Sequence, residues 1–207
     1  MNKKGIELSV GFIVILIFSI LIFSLSVYLL FKWFGDVDKL SDQIDRQTQA
    51  EITTALKSGN RLVAIPFPVQ TVKRGQSAVF GVGVRNPASA KKFSIAVDFS
   101  NAFNPDGSSM DRVDRDYTMR NWLGSFSQVE PFFVQKNSEA IKSLMIKVAE
   151  ISPGVATLPG DYVFNVCVFV APDDSEPAAA SCDISSYTRN PAAFYSGRIY
   201  QVTVRVR

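Results

Sequence analysis

The chain has 207 residues, with 22 Lys and Arg against 19 Asp and Glu, two cysteines and no histidine. A net charge of +3 with no basic run supplies no phosphate-tracking stripe, which argues against a nucleic-acid partner. Without histidine, Ser-His-Asp and Cys-His catalysis are excluded. With only Cys167 and Cys182, a four-ligand Cys/His zinc site cannot form within one chain. No catalytic, cofactor-binding or metal residue is assigned, and the chain is expected not to be an enzyme.

Residues 1–7 form a short basic tail with Lys3 and Lys4 ahead of a long apolar run at 8–34. From Leu8 to Phe31 that run holds no charge and no proline, which makes about 36 Å of helix at 1.5 Å per residue. The length matches a bilayer core of about 30 Å, so 8–34 is expected to be a transmembrane helix. The two lysines before it place the N-terminus in the cytoplasm and the C-terminal domain outside the cell, in a single pass. The run is too long for a cleaved secretory signal, and Tyr28-Leu29-Leu30-Phe31 stands where small residues would mark the cut. The lipid bilayer is the first expected partner.

Residues 35–60 change character at Gly35-Asp36-Val37-Asp38. Val37, Leu40, Ile44, Thr48, Ile52, Ala55 and Leu56 then recur at intervals of three and four, one face of a helix. Gly59-Asn60 is a stop signal. The stripe is narrow, so the amphipathic helix either lies along a domain or packs against neighbouring copies, and a spacer is the simpler alternative.

Lys4-Gly5-Ile6-Glu7 followed by the apolar helix resembles the class III signal of type IV pilins and of archaeal pilin-like and archaellin-like proteins. The resemblance implies cleavage between Gly5 and Ile6 by a prepilin peptidase, and a retained helix that packs with copies of itself or with other pilin-like subunits. It offers Glu7 as a helix-assembly carboxylate. Glu7 would be the second mature residue here, whereas the pilin glutamate is the fifth, a place held by Val10. The other reading of Glu7 is a carboxylate favoured by the positive end of the helix dipole.

Residues 61–207 replace the helical period with alternation. Residues 62–69 read as one extended stretch, confined to a sheet edge by Pro66 and Pro68. Ala78 to Val84 and the Phe93, Ile95, Val97, Phe99 series read as strands, as do Leu144, Ile146, Val148 and the Ile199 to Val206 run. Gly, Pro and Asn turns between them suggest an all-β sandwich. Pro159-Gly160-Asp161-Tyr162-Val163-Phe164 resembles the tyrosine corner of immunoglobulin-like and fibronectin-type domains, with Tyr162 as the corner residue. The expected fold is therefore a long N-terminal transmembrane helix with an amphipathic extension, followed by an immunoglobulin-like sandwich.

Cys167 has the parity opposite to Phe164 and Val166 and is expected to face outward. It either pairs with Cys182, in an oxidising environment, or both remain free thiols. Asp111, Asp114 and Asp116 stand in a loop with Arg112 and Arg115 interleaved, a solvated ion-paired loop in preference to a Ca²⁺ site. Trp122, Phe126, Phe132 and Phe133 are expected in the core. The function these features imply is a pilin-like surface structural subunit without enzymatic activity. The alternative is a membrane-anchored adhesion or protein-binding module that does not polymerise.

Overall fold

The computed structural model describes residues 10–34, 46–152, 155–171 and 181–207. Lys4, Gly5, Ile6 and Glu7 lie outside the described residues, as does the junction at 35–45. The chain divides into two compact units, Met1–Asp42 and Gln43–Arg207.

The first unit contains helix α1 (Val10–Phe34), whose apolar composition offers no alternative partner for the backbone. Ser19 and Ser26 turn their hydroxyls back to the carbonyls of Ile15 and Ile22 at 2.8 Å, so neither polar group competes with the helix. Among the described residues no helix is long and apolar enough to cross a membrane. This corrects the transmembrane helix expected at 8–34 and, with it, the single-pass placement with a cytoplasmic N-terminus and an extracellular C-terminal domain.

In the second unit, helix α2 (Arg46–Ser58) leads into the strands β1 (Val63–Ala64), β2 (Val69–Val72), β3 (Ser77–Asn86), β4 (Lys91–Phe103), β5 (Gln128–Val134), β6 (Ser138–Lys147), β7 (Ile151–Ser152), β8 (Val155–Ala156), β9 (Gly160–Val170) and β10 (Tyr200–Val206). They form a three-stranded sheet in the order β1-β3-β6, a five-stranded sheet in the order β2-β10-β9-β4-β5, and the small hairpin β7-β8. Pairing is antiparallel except for β2 against β10.

The chain is thus mostly β, and its larger sheet curls into a half-barrel, which corrects the expected helix-plus-immunoglobulin-like-sandwich fold. Two features account for the difference. Register shifts at Phe93/Ile95 against β5 and at Phe99/Asn101 against β9 mark bulges in β4, and a bulge bends and twists the strand that carries it. Pro66 and Pro68 also break the stretch expected at 62–69. Its first half joins the smaller sheet as β1 and its second the larger sheet as β2.

The period of two places the core. Phe80, Val82 and Val84 of β3, Leu144 and Ile146 of β6, Phe164, Val166 and Val168 of β9, and Val202, Val204 and Val206 of β10 form one buried cluster drawn from both sheets. Trp122 and Leu123, in a π-helical turn (Met119–Leu123) after helix α3 (Arg115–Thr118), extend it. Trp122 lies 4.5 Å from the Tyr162 ring. Phe126 and Phe133 are exposed at 37% and 54%, so of the four aromatics expected in the core only Trp122 and Phe132 are buried.

Helix α2 lies on the smaller sheet. Ile52 and Leu56 are fully buried with Ala64, and Ala55 and Ile141 pack beside them. Of the two arrangements expected for an amphipathic helix here, residues 46–58 adopt the one laid along a domain. A Lys57–Glu139 contact at 3.2 Å and an Arg85 bond to the Leu56 carbonyl at 3.3 Å flank its last turn.

Candidate functional site

The face of the larger sheet that points away from the core carries Ser94, Ala96 and Asp98 on β4 and Asn165, Cys167 and Phe169 on β9, and all six are buried. Residues 181–199 cover this face. Asp183 starts helix α4 (Ile184–Arg189) by accepting from the Ser186 N–H at 2.6 Å. A 3₁₀ turn at Pro191–Ala193 then brings Phe194 onto Phe169, ring to ring at 5.0 Å. Cys167 and Cys182 are joined as a disulfide with their Cα atoms 5.6 Å apart, tying this covering segment to β9. Cys167 has the outward parity expected of it, but it is fully buried because the segment lies over it.

Asp98 is the one acidic side chain among the buried described residues. Its Oδ2 accepts from Arg115 at 2.5 Å, while Oδ1 has no hydrogen-bond partner. Burial raises its carboxyl above the usual range against the opposing pull of Arg115, and the nearby charge of Asp183 raises it further. Asp183 itself is held low by the hydroxyl of Ser185 and the N–H of Ser186. Beside the pair opens a cleft of about 240 Å³ that also touches Met119, Ser127, Gln128 and Ser181.

Arg115 was expected to neutralise the acids of its own loop. It reaches Asp98 instead, because helix α3 turns it toward β4. Asp114 caps that helix, accepting from the Tyr117 N–H at 2.9 Å. Among the described residues, no group of three or more His, Cys, Asp or Glu side chains could hold a metal ion.

Tyr162 donates its hydroxyl to the Leu158 carbonyl, four residues upstream, at 2.9 Å. Burial raises its phenol above the ordinary value. The Pro159-Gly160 turn before it requires glycine. Gly160 has φ +153°, and a Cβ there would stand 2.3 Å from the Phe103 carbonyl oxygen. The adjacent Asp161 receives a two-pronged bond from Arg205, at 2.7 and 2.8 Å, which holds its carboxyl below the usual range. The period of two located the strand residues, and the two cysteines offered the disulfide that ties the covering segment to the sheet, but the Asp98–Arg115 pair left no sequence signal. Asp98 and Arg115 lie 17 positions apart in sequence.

The other feature open to a partner is α1 itself. Ile15, Leu16, Ile17 and Phe18 are 66, 49, 51 and 60% exposed, and four successive helical positions point in directions about 100° apart. Apolar surface therefore extends around the helix.

No protein-family model and no curated protein matches the sequence. Among solved structures, the chain is similar to the alkylpurine DNA glycosylase AlkC of Pseudomonas fluorescens bound to DNA with an abasic site analogue, at 12% identity and a TM-score of 0.35 over 71% of this chain and 31% of that one. It is also similar to the class 5 fimbriae chaperone CfaA, at 12% identity and a TM-score of 0.33 over 69% of this chain and 55% of that one. A third likeness is to a Salmonella enterica SafA pilin in complex with the SafB chaperone, at 11% identity and a TM-score of 0.28 over 70% and 53%. The chain spans from about a third to just over half of the length of these proteins, and likenesses this distant carry no argument about what it does.

Proposed function

We propose that the protein is a non-enzymatic, pilin-like structural subunit in which α1 packs against the α1 helices of other copies. The observation that carries this reading is the apolar surface of α1, exposed around the helix from Ile13 to Leu25. A helix that is apolar on every side is stable in water only when something covers it. Copies of the same helix are the cover this composition suits, since the hydroxyls of Ser19 and Ser26 are satisfied within the helix. The resemblance of residues 4–7 to a class III signal points the same way. The β unit, closed by a disulfide that persists where thiols are not kept reduced, is the part displayed by the assembly.

The experiment is N-terminal sequencing of the mature protein together with electron microscopy of the assembled fraction. A terminus at Ile6 in filaments containing the chain supports the proposal. An intact Met1 in a protein that stays monomeric overturns it and leaves the protein-binding module.

A further inference from the structure

The edge of the larger sheet is incomplete next to a cleft. Strand β2 pairs with β10 only along Thr203–Val206, so Tyr200, Gln201 and Val202 have β9 on one side and no strand on the other. The Thr203 N–H donates to the Pro68 carbonyl at 2.7 Å, which fixes the odd-numbered residues of β10 as those whose backbone groups face β2. The N–H and C=O of Gln201 therefore continue that row beyond the point where β2 ends. The chain's own residues cannot extend the ladder, because Ile65-Pro66-Phe67-Pro68 lacks an N–H at two of four positions as it crosses between the sheets.

At the Tyr200 end of this edge there is a cleft of about 500 Å³ between residues 60–65 and the Ser196, Arg198 and Tyr200 side. Arg61 and Arg198 line it, and no acidic residue does. A third cation, Arg85, stands behind, donating to Asn60 Oδ1 at 3.3 Å and to the Leu56 carbonyl. An unpaired strand edge binds extended backbone, and the flanking cations select what that backbone carries.

We propose that this cleft is a docking site for an extended peptide segment of a partner protein that bears carboxylate side chains. The segment adds beside Tyr200–Val202 as a short strand and sets its carboxylates against Arg61 and Arg198. About four extended residues, roughly 13 Å, span the open edge. This inference goes beyond the reading of α1 and does not rest on it.

The test is fluorescence anisotropy of the full chain with a fluorescein-labelled octapeptide of alternating valine and glutamate. Its controls are a valine–lysine octapeptide and the valine–glutamate peptide N-methylated at every second residue. The glutamate peptide is expected to bind, N-methylation to weaken binding at least tenfold, and Arg61→Ala or Arg198→Ala to weaken it three- to tenfold. Both arginines are exposed, so neither substitution threatens the fold. No binding, equal binding of the lysine peptide, or indifference to N-methylation overturns the proposal, the last by reducing it to ionic attraction. Self-association without peptide that is lost in both arginine variants also overturns it, by assigning the edge to a second copy of this chain.

Discussion

Ile52 sits directly on Gly83: a Cβ built at position 83 would stand 2.2 Å from Ile52 Cγ2 and 2.9 Å from Leu56 Cδ1. The bare backbone of β3 is what lets α2 approach the smaller sheet. Gly83→Ala is therefore expected to overpack this contact and cost about 1–3 kcal/mol. Thermal denaturation reads that as a fall of about 3–10 °C. Amide exchange in α2 is expected to speed up more than exchange in β9, since Ile52 and Leu56 of α2 lie directly on position 83. Unchanged melting would show that α2 does not depend on this approach.

The disulfide joins Cys167 and Cys182, 15 positions apart in sequence, and ties residues 181–199 to the outer face of the larger sheet. Loop-closure arithmetic gives about 3 kcal/mol for a link of this span. Cys167→Ala with Cys182→Ala is expected to lower the melting temperature by about 6–12 °C while leaving far-ultraviolet circular dichroism unchanged. The loss is local: Phe169 and Phe194 lose their tether, whereas the main core retains every contact. A thiol assay on denatured protein is expected to find no free thiol before reduction and two after.

Asp161 and Asp98 are expected to contribute to stability with opposite dependence on pH. The bond from Arg205 lowers the folded-state pKa of Asp161, so its contribution is present above the unfolded carboxylate range, near 4, and is lost as pH falls through the folded value. Both partners are partly exposed, so Asp161→Asn is expected to cost about 1 kcal/mol or less at pH 7 and less than that at pH 3.5. Burial raises Asp98, so the proton it binds favours the folded state in acid, and that benefit is lost as pH rises through the folded value. The stability of Asp98→Asn relative to the native protein is expected to improve from pH 3.5 to pH 7. Urea denaturation at both pH values checks the two signs.

Tyr162→Phe keeps the ring against Trp122 and removes only the bond to the Leu158 carbonyl. The expected cost is about 1–2 kcal/mol, with tryptophan fluorescence of the folded state little changed. A cost near zero would mean that the hydroxyl does not hold the turn at Gly160.

Much of the second unit was legible because alternation is a geometric consequence of the pleat. The inward sets at Phe164, Val166 and Val168 and at Val202, Val204 and Val206 follow from parity alone. The three- and four-residue intervals likewise marked Ile52 and Leu56, which lie under α2. Parity distinguishes the two faces of a sheet but does not say what covers each face. Cys167 points away from the core yet is buried, because residues 181–199 fold back over it. The prolines at 66 and 68 announced a sheet edge, but two edges in two sheets satisfy them equally well. Hydrophobicity alone made residues 8–34 a membrane span. The same composition fits a helix covered by other helices, and no helix among the described residues has the length and apolarity to cross a membrane.

The central claim is that α1 packs against its own copies, and chain-to-chain cross-linking tests it most directly. Because Cys167 and Cys182 are already paired, Ile17→Cys introduces the one free thiol of the described chain. Mild oxidation of the assembled full-length protein is expected to yield disulfide-linked dimers through position 17, and Val69→Cys in the β unit is expected to yield none. Monomers alone at position 17, or equal dimer yield at position 69, would contradict the claim.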